Sequence, residues 1–300
     1  MKQVLGRFDA PLPAAETMDP VLYGALAEDR AQEDRTTLPI VPEGLRARGR
    51  VVAREPGVLA GAGVFRRVFE CLGKCGEEAD ELSFDGMRDG EVFAPGDEVL
   101  RVEGPGRILL TGERTALNFL QRLCAVATAT RACVDAAQGK VAICDTRKTT
   151  PGLRALEKYA VVVGGGRSHR WSLADMVLVK ENHVELAGGI GAAIDAVRRD
   201  AASAELPLTV EARTEAEAME AADCGADRIL LDNMEPEVMR AIADALADRP
   251  GRPELEASGG MHAGSIAAVA DAGVDVVSVG LVTHGAGALD LSFLTERVTR

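Results

Sequence analysis

The chain is 300 residues long, 47% hydrophobic and 27% charged, which is enough apolar material for one large core or two moderate ones without disulfides or a structural metal. Its formal net charge of -13 and its 3% aromatic content argue against nucleic acid as a partner, because phosphates need a basic face and bases need stacking platforms. No run approaches the roughly 18 apolar residues of a membrane span, and Met1 to Asp19 lacks a signal-peptide core, so a cytoplasmic protein with no membrane partner is expected.

The first 110 residues read as a compact α+β unit. Pro20 to Glu28 places Val21, Leu22, Ala25 and Leu26 on one helical stripe, and Arg46 to Arg54 alternates like a half-buried strand. A Pro56-Gly57 turn leads into Val58 to Val64 and a short helix through Phe65, Val68, Phe69 and Leu72. Asp85-Gly86, Asp89-Gly90, Pro95-Gly96 and Gly104-Pro105-Gly106 then punctuate short alternating runs, which is hairpin chemistry. From Glu113 the pattern becomes a long helix, with Leu117, Leu120, Cys124 and Ala127 at three-to-four spacing and Thr111 placed to cap its start.

Six short apolar runs come next, at Val141 to Cys144, Met176 to Val179, Leu208 to Ala212, Arg228 to Leu231, Leu255 to Ala257 and Val276 to Val279. Ala-rich segments of helical character separate several of them, among them Gly191 to Ala202, Glu215 to Ala222 and Ala263 to Ala272. Strands alternating with helices imply parallel βαβ units, and six in series suggest a closed or nearly closed barrel.

The residues at the end of each run are chemically pointed. The first run leads into Asp145-Thr-Arg147-Lys148, the second into Lys180-Glu-Asn-His183, and the third carries Glu211 near its end. The fourth leads into Asp232-Asn233, the fifth into Ser258-Gly259-Gly260 and the sixth into Gly280. In a βα barrel the carboxyl ends of the strands form the active-site face, so these residues should converge on one mouth. The Gly-rich ends of the last two runs suit close backbone approach to a phosphate. A single Lys or Asp after a strand is ordinarily a solvated loop residue, but a whole series of such ends is harder to attribute to chance. With the loop Gly164-Gly-Gly-Arg-Ser-His169-Arg170, the mouth would set Arg147, Lys148, His169, Arg170 and Lys180 against Glu211 and Asp232. Such a site suits a small ligand with several anionic groups, and its carboxylates suit Mg2+ or ribose hydroxyls.

Longer segments carry a resemblance. Glu113-Arg-Thr-Ala-Leu-Asn118, Asp145-Thr-Arg-Lys-Thr-Thr-Pro-Gly-Leu-Arg-Ala-Leu-Glu-Lys158, His169-Arg170, Lys180-Glu-Asn-His183, Leu231-Asp-Asn-Met234 and Glu256-Ala-Ser-Gly-Gly260 resemble the signature segments of the quinolinate phosphoribosyltransferase family, over about Ala27 to Leu291. The resemblance implies an α/β fold, an N-terminal α/β sandwich (1–118) followed by an incomplete, about six-stranded α/β barrel (119–282), with a segment (283–300) that returns to the first domain. It implies transfer of the phosphoribosyl group of phosphoribosyl pyrophosphate (PRPP) to quinolinate, releasing pyrophosphate and CO2 and giving nicotinate mononucleotide. Arg147, His169, Arg170 and Lys180 would hold the quinolinate carboxylates, while Lys148, Glu211, Asp232, Ser258, Gly259, Gly260 and Gly280 would hold PRPP and its Mg2+. Catalysis would fall to Lys148, Lys180, Glu211 and Asp232. Arg114 resembles the arginine that the family supplies from the neighbouring subunit of a homodimer, and no organic cofactor is implied.

The chain departs from the family pattern at Ala31 and Glu33, where glycines are usual, at Thr209 in place of an acid, and at Ser172 and Gly285. Three other readings compete: a phosphoribosyltransferase for another acidic aromatic base, a paralogue with an altered pocket, and an inert barrel that senses phosphorylated metabolites. Arg147, Arg170 and Lys180 together suit a ligand with two carboxylates, and Glu211 with Asp232 would gain nothing in passive anion binding. His183 is expected to cap a helix or bond a carbonyl, and His284 to be structural. The six cysteines, at 71, 75, 124, 133, 144 and 224, show no CxxC spacing and are expected to be reduced core residues. Cys71 and Cys75 stand one helical turn apart without a second pair of ligands, so no metal besides Mg2+ is expected.

Overall fold

The computed structural model describes residues 11–73 and 82–298. In chain order it begins with α1 (Ala15–Glu28), a 3-10 turn (Ala31–Glu33), α2 (Thr37–Ile40), β1 (Arg46–Ala53), β2 (Gly57–Val58) and α3 (Ala62–Gly73). Then come β3 (Ser83–Gly86), β4 (Val92–Phe93), β5 (Glu98–Pro105) and the long α4 (Gly106–Ala137). The alternation of β1 is realised residue by residue, with Ala47, Gly49, Val51 and Ala53 inward and arginines at the rim. On α3, Val64, Phe65, Val68, Phe69 and Cys71 form one buried stripe, and Phe65 meets Phe69 edge-on at 5.1 Å between ring centres.

The long helix starts earlier than its apolar periodicity suggests. Gly104-Pro105-Gly106 marks a strand-to-helix junction rather than a hairpin, and the Gly106 N–H bonds the Leu45 carbonyl at 2.7 Å where the helix leaves β5. Thr111 therefore lies within the helix, and its hydroxyl reaches Asp34 at 3.1 Å instead of capping. Glycine and proline break an element's interior, but they also mark the seam between two elements.

The second half runs β6 (Ala142–Cys144), α5 (Arg154–Val163), β7 (Val177–Val179), α6 (Glu181–Ala187), α7 (Ile190–Arg199), β8 (Leu208–Ala212), α8 (Glu215–Asp223) and β9 (Arg228–Asp232). It continues through α9 (Pro236–Leu246), β10 (Glu254–Ser258), α10 (Ala263–Ala270), β11 (Val276–Ser278) and α11 (Leu281–His284), and closes on β12 (Leu291–Arg297). All six expected runs are strands, in one parallel sheet of order β6-β11-β10-β9-β8-β7. The end strands β6 and β7 do not pair with each other, which is the incompleteness of the barrel. Instead, residue 167 bridges Cys144 on the free side of β6, and the Arg170 guanidinium reaches the Met176 carbonyl ahead of β7 at 3.0 Å.

By contact the described residues form two compact units, one of 132–148 and 166–283 holding the parallel sheet, the other of 11–131, 149–165 and 284–298. In the latter, β12 pairs antiparallel with β1 in a sheet of order β12-β1-β5-β3, so the chain's last strand completes the sheet of its first. Gly49 in β1 is fixed by this pairing, because a Cβ there would fall 2.0 Å from the Phe293 ring. Cys71, Cys124, Cys133 and Cys144 are buried as expected, and burial pushes the Cys124 thiol up to about 12. Cys224, beyond the end of α8, is exposed, against expectation; the Ala-rich helix before it presents its buried side at Ala218, Ala221 and Ala222. The Cys71–Cys75 pairing falls partly outside the described residues. Among those residues no helix is long and apolar enough to cross a membrane.

Candidate functional site

Strand register decides which side chains share a face of the parallel sheet. Thr209 is level with Arg228 and Glu211 with Leu230; Arg228 is level with Glu254, Leu230 with Glu256, and Asp232 with Ser258. Side chains alternate along a strand. Thr209, Arg228 and Glu254 therefore form one polar layer, Glu211 and Glu256 flank Leu230 in the next, and Asp232 and Ser258 stand at the carboxyl end above them. The opposite face carries Ile229, Leu231, Leu255 and Ala257, all fully buried. Parity and strand length thus deliver Glu211, Asp232 and Ser258 to the same end of the sheet, as the sequence predicts.

The cations arrive from the loops after β6 and β7. Arg170 is only 7% exposed, and its bond to the Met176 carbonyl is its single side-chain hydrogen bond among the described residues. Burial, and next the field of Arg147, push the Arg170 guanidinium below its ordinary value, against a smaller pull from Asp175 and Glu256. The Nε of Arg147 is buried without a hydrogen-bond partner among the described residues. Two guanidiniums close enough to repel, with donors unspent, form an unfavourable arrangement unless an anion joins them. Lys148 is exposed, with its carbonyl tied to the Thr283 hydroxyl at 2.7 Å. Lys180 immediately follows β7 and its Nζ lies 3.5 Å from Glu211, whose side chain is 12% exposed. His183 accepts the Lys180 N–H through Nδ1 at 2.9 Å and so fixes the first turn of α6, the capping role expected of it.

At the other strand ends the backbone takes uncommon conformations. Asn233 has φ +54, donates its N–H to the Ser258 carbonyl at 2.9 Å, and turns its amide to Asp232 at 2.9 Å. Gly259 has φ +93, and a Cβ there would lie 2.2 Å from the Asn233 side-chain oxygen, so glycine is required on two counts. Gly260 comes next at φ +60, and the Gly280 carbonyl lies 2.9 Å from the same Thr283 hydroxyl that reaches Lys148.

His169 takes a different direction from the one its motif suggests. Its ring is 6% exposed, with Nε2 3.2 Å from the Glu256 carboxylate on the polar face. The same Glu256 oxygen accepts from Arg228 at 2.8 Å, and Arg228 also donates to Glu254 at 2.7 Å. Burial opposes ionisation of Glu256, but His169 and Arg228 outweigh it and hold the carboxyl at about 2. Sequence patterning alone passes over this buried cluster. Its signal lies in the charged residues at 228, 254 and 256, which alternate with apolar ones within two strands that read as apolar runs.

Arg114 belongs to the other unit. It is exposed on α4 and borders two cavities of about 470 and about 330 Å3 that also share Asp29. The Ala31 and Glu33 departures lie in the 3-10 turn beside the larger cavity. There Asp34 accepts N–H bonds from Thr36 and Thr37, and its contacts with Thr37 hold its carboxyl at about 2.

Residues 34–124 match the family model for quinolinate phosphoribosyl transferase, N-terminal domain, and residues 126–294 that for its C-terminal domain. A probable carboxylating nicotinate-nucleotide pyrophosphorylase of Bacillus subtilis is 39% identical over 88% of this chain and 89% of its own length. The human carboxylating nicotinate-nucleotide pyrophosphorylase is 38% identical over 92% of each. Among solved structures, that of NadC from Streptococcus pyogenes superposes with a TM-score of 0.88 at 38% identity, covering 96% of this chain and 99% of the other.

Proposed function

The chain belongs to the quinolinate phosphoribosyl transferase family, and from that premise we infer that it transfers the phosphoribosyl group of PRPP to quinolinate, giving nicotinate mononucleotide, pyrophosphate and CO2. The observation that carries the reading is the Arg147–Arg170 pair, in which Arg170 is buried and the buried Nε of Arg147 has no partner among the described residues, with Lys180 just after β7 as a third cation. Two carboxylates on adjacent ring carbons supply the negative charge that this arrangement lacks.

Charge placement sets the chemistry. The pyridine nitrogen bonds to C1' of the ribose as the bond from C1' to the pyrophosphate oxygen breaks, through a transition state with oxocarbenium character. Arg147, Arg170 and Lys180 hold the dicarboxylate so that the ring nitrogen faces that carbon, which is an orientation effect. Lys148 offers charge to the departing pyrophosphate, and Gly259 and Gly260 allow its oxygens to approach the backbone. Once the nitrogen is quaternised, the ring accepts the electron pair left when the neighbouring carboxylate departs as CO2, and a proton from water completes the carbon.

Mg2+ fits this donor set in a particular way. Among the described residues no group of three or more His, Cys, Asp or Glu could hold a metal by itself. Mg2+ commonly binds through one or two carboxylates, water and substrate phosphates, and Glu211 and Asp232 stand on one face at the strand ends to supply them. When bound, the ion neutralises the phosphate charge. We assign Glu211 and Asp232 to Mg2+ and the ribose hydroxyls, and Ser258 and Gly280 to the phosphates.

The deciding measurement is release of labelled CO2 from quinolinate labelled in the carboxyl beside nitrogen. Release that requires both PRPP and Mg2+ is expected. Consumption of nicotinate instead, without labelled release, would overturn the assignment of the base pocket.

The homodimer is part of the same proposal, with Arg114 completing the partner's site in a cytoplasmic enzyme. Mixing Arg114→Ala with Lys180→Ala subunits is then expected to restore about a quarter of the unaltered activity, since half the dimers are mixed and each holds one intact site. Mixed dimers that form and stay inactive would refute the shared site.

A further inference from the structure

The buried cluster on the polar face has no part in the contacts assigned so far, yet it ends on the cation pair. Glu256 is 0% exposed and spends a single oxygen, Oε2, on both Arg228 and His169. Its other oxygen has no hydrogen-bond partner among the described residues. The far side of the same imidazole is also occupied, because Nδ1 accepts the backbone N–H of Arg170 at 2.9 Å. A ring nitrogen that accepts an N–H carries no proton, so Nε2 holds the only one and donates it to Glu256. The 3.4 Å approach of Arg228 to Nε2 is then two donors converging on one carboxylate rather than a bond between them. The backbone is pinned from below as well, since the His169 N–H donates to Asp145, itself 0% exposed, at 2.7 Å.

We propose that Glu256 is a positioning residue for the base pocket: by accepting the His169 Nε2–H it holds that ring in one neutral tautomer, leaves Nδ1 to accept the Arg170 N–H, and so delivers the Arg170 guanidinium beside Arg147. The inference rests on the quinolinate reading and refines it. His169 acts on the substrate through Arg170, while Arg228 pairs with the same Glu256 oxygen and keeps it aimed at the ring. An acceptor on Nε2 selects the tautomer in the way that carboxylates orient ligating or catalytic imidazoles elsewhere.

The experiment combines a spectroscopic and a kinetic arm. Spectra of [15N]His-labelled protein at pH 7, with His169 assigned by its loss in His169→Asn, should show the neutral Nε2–H pattern in the unaltered chain. An Nδ1–H or doubly protonated ring would overturn the proposal, whatever the chain catalyses and whether or not any variant folds. In Glu256→Gln the KM for quinolinate should rise about ten-fold, with kcat and the KM for PRPP within about two-fold. A variant whose quinolinate KM is unchanged, or whose kinetic constants all worsen together, would refute the positioning role. His169→Asn places an amide oxygen near the Nδ1 position and should stay several-fold closer to the unaltered quinolinate KM than His169→Ala. Equal losses in the two would instead mark His169 as a direct ligand. If the unaltered chain turns over no quinolinate, the proposed reaction fails, and the tautomer result still decides the geometry.

Discussion

Replacing Arg170 by alanine is expected to raise the KM for quinolinate by about two to four orders of magnitude while the KM for PRPP stays within about three-fold. The size reflects the loss of charge-assisted bonds worth about 1.5–3 kcal/mol each, two of them in a fork-to-carboxylate pair, at about 1.4 kcal/mol per decade. Stability without substrate should change by less than about 1 kcal/mol, because lost packing is offset by removing one buried charge from beside another. Arg170 is 7% exposed, bonded to one carbonyl, and pushed below its ordinary value first by burial and then by Arg147. Titration calorimetry and urea denaturation on the same preparation separate the two effects. A variant that loses stability but keeps quinolinate affinity would place Arg170 among structural arginines and remove the main support for the base pocket.

Arg228→Met is expected to lower stability by about 3–5 kcal/mol, because it removes the cation shared by the buried Glu256 and the half-buried Glu254. Against a total stability of about 5–15 kcal/mol, that leaves a marginal fold. The pH response should also change sign. In the unaltered protein Glu256 is held at about 2, so its contribution is present above the ordinary carboxylate range and is lost only as pH falls through that range toward 2. Without Arg228, Glu254 loses the cation that offsets its burial and its carboxyl rises further, while Glu256 keeps its contact with His169, so the folded state then prefers the protonated form of Glu254. The urea midpoint of Arg228→Met should therefore rise between pH 7 and pH 5, where that of the unaltered protein stays nearly level. A variant midpoint that falls with acid would show that Glu254 is held ionised by something other than Arg228.

These two predictions concern neighbours in space that the sequence treats differently, and the contrast shows what a linear reading reaches. The six strands of the barrel were legible because apolar runs of strand length recur between helical segments, and period and length are local properties. Lys180, Glu211, Asp232 and Ser258 were legible as a group for the same reason, since a residue at a strand's carboxyl end in a βα sheet has one destination. Arg147 and Lys148 were marked by the block that contains them. The start of α4 is not legible in the sequence, because Gly104-Pro105-Gly106 has the same local chemistry at a hairpin and at a strand-to-helix seam. Only the Leu45 carbonyl waiting for the Gly106 N–H distinguishes the two.

The sequence alone determined the order of this protein's strands and helices, the family to which it belongs, and the charged residues placed at the strand ends. Tertiary structure decided what those charges do. Whether Arg170 is paired or left with unspent donors depends on Arg147, 23 positions away along the chain, and on the Met176 carbonyl. Whether His169 faces outward or inward depends on Glu256 and Arg228, supplied by strands 87 and 59 residues later. The reason is physical. Backbone periodicity is set by neighbours along the chain, whereas the protonation and direction of a buried polar group are set by whichever partners folding brings within about 3 Å, and those partners are chosen by strand register.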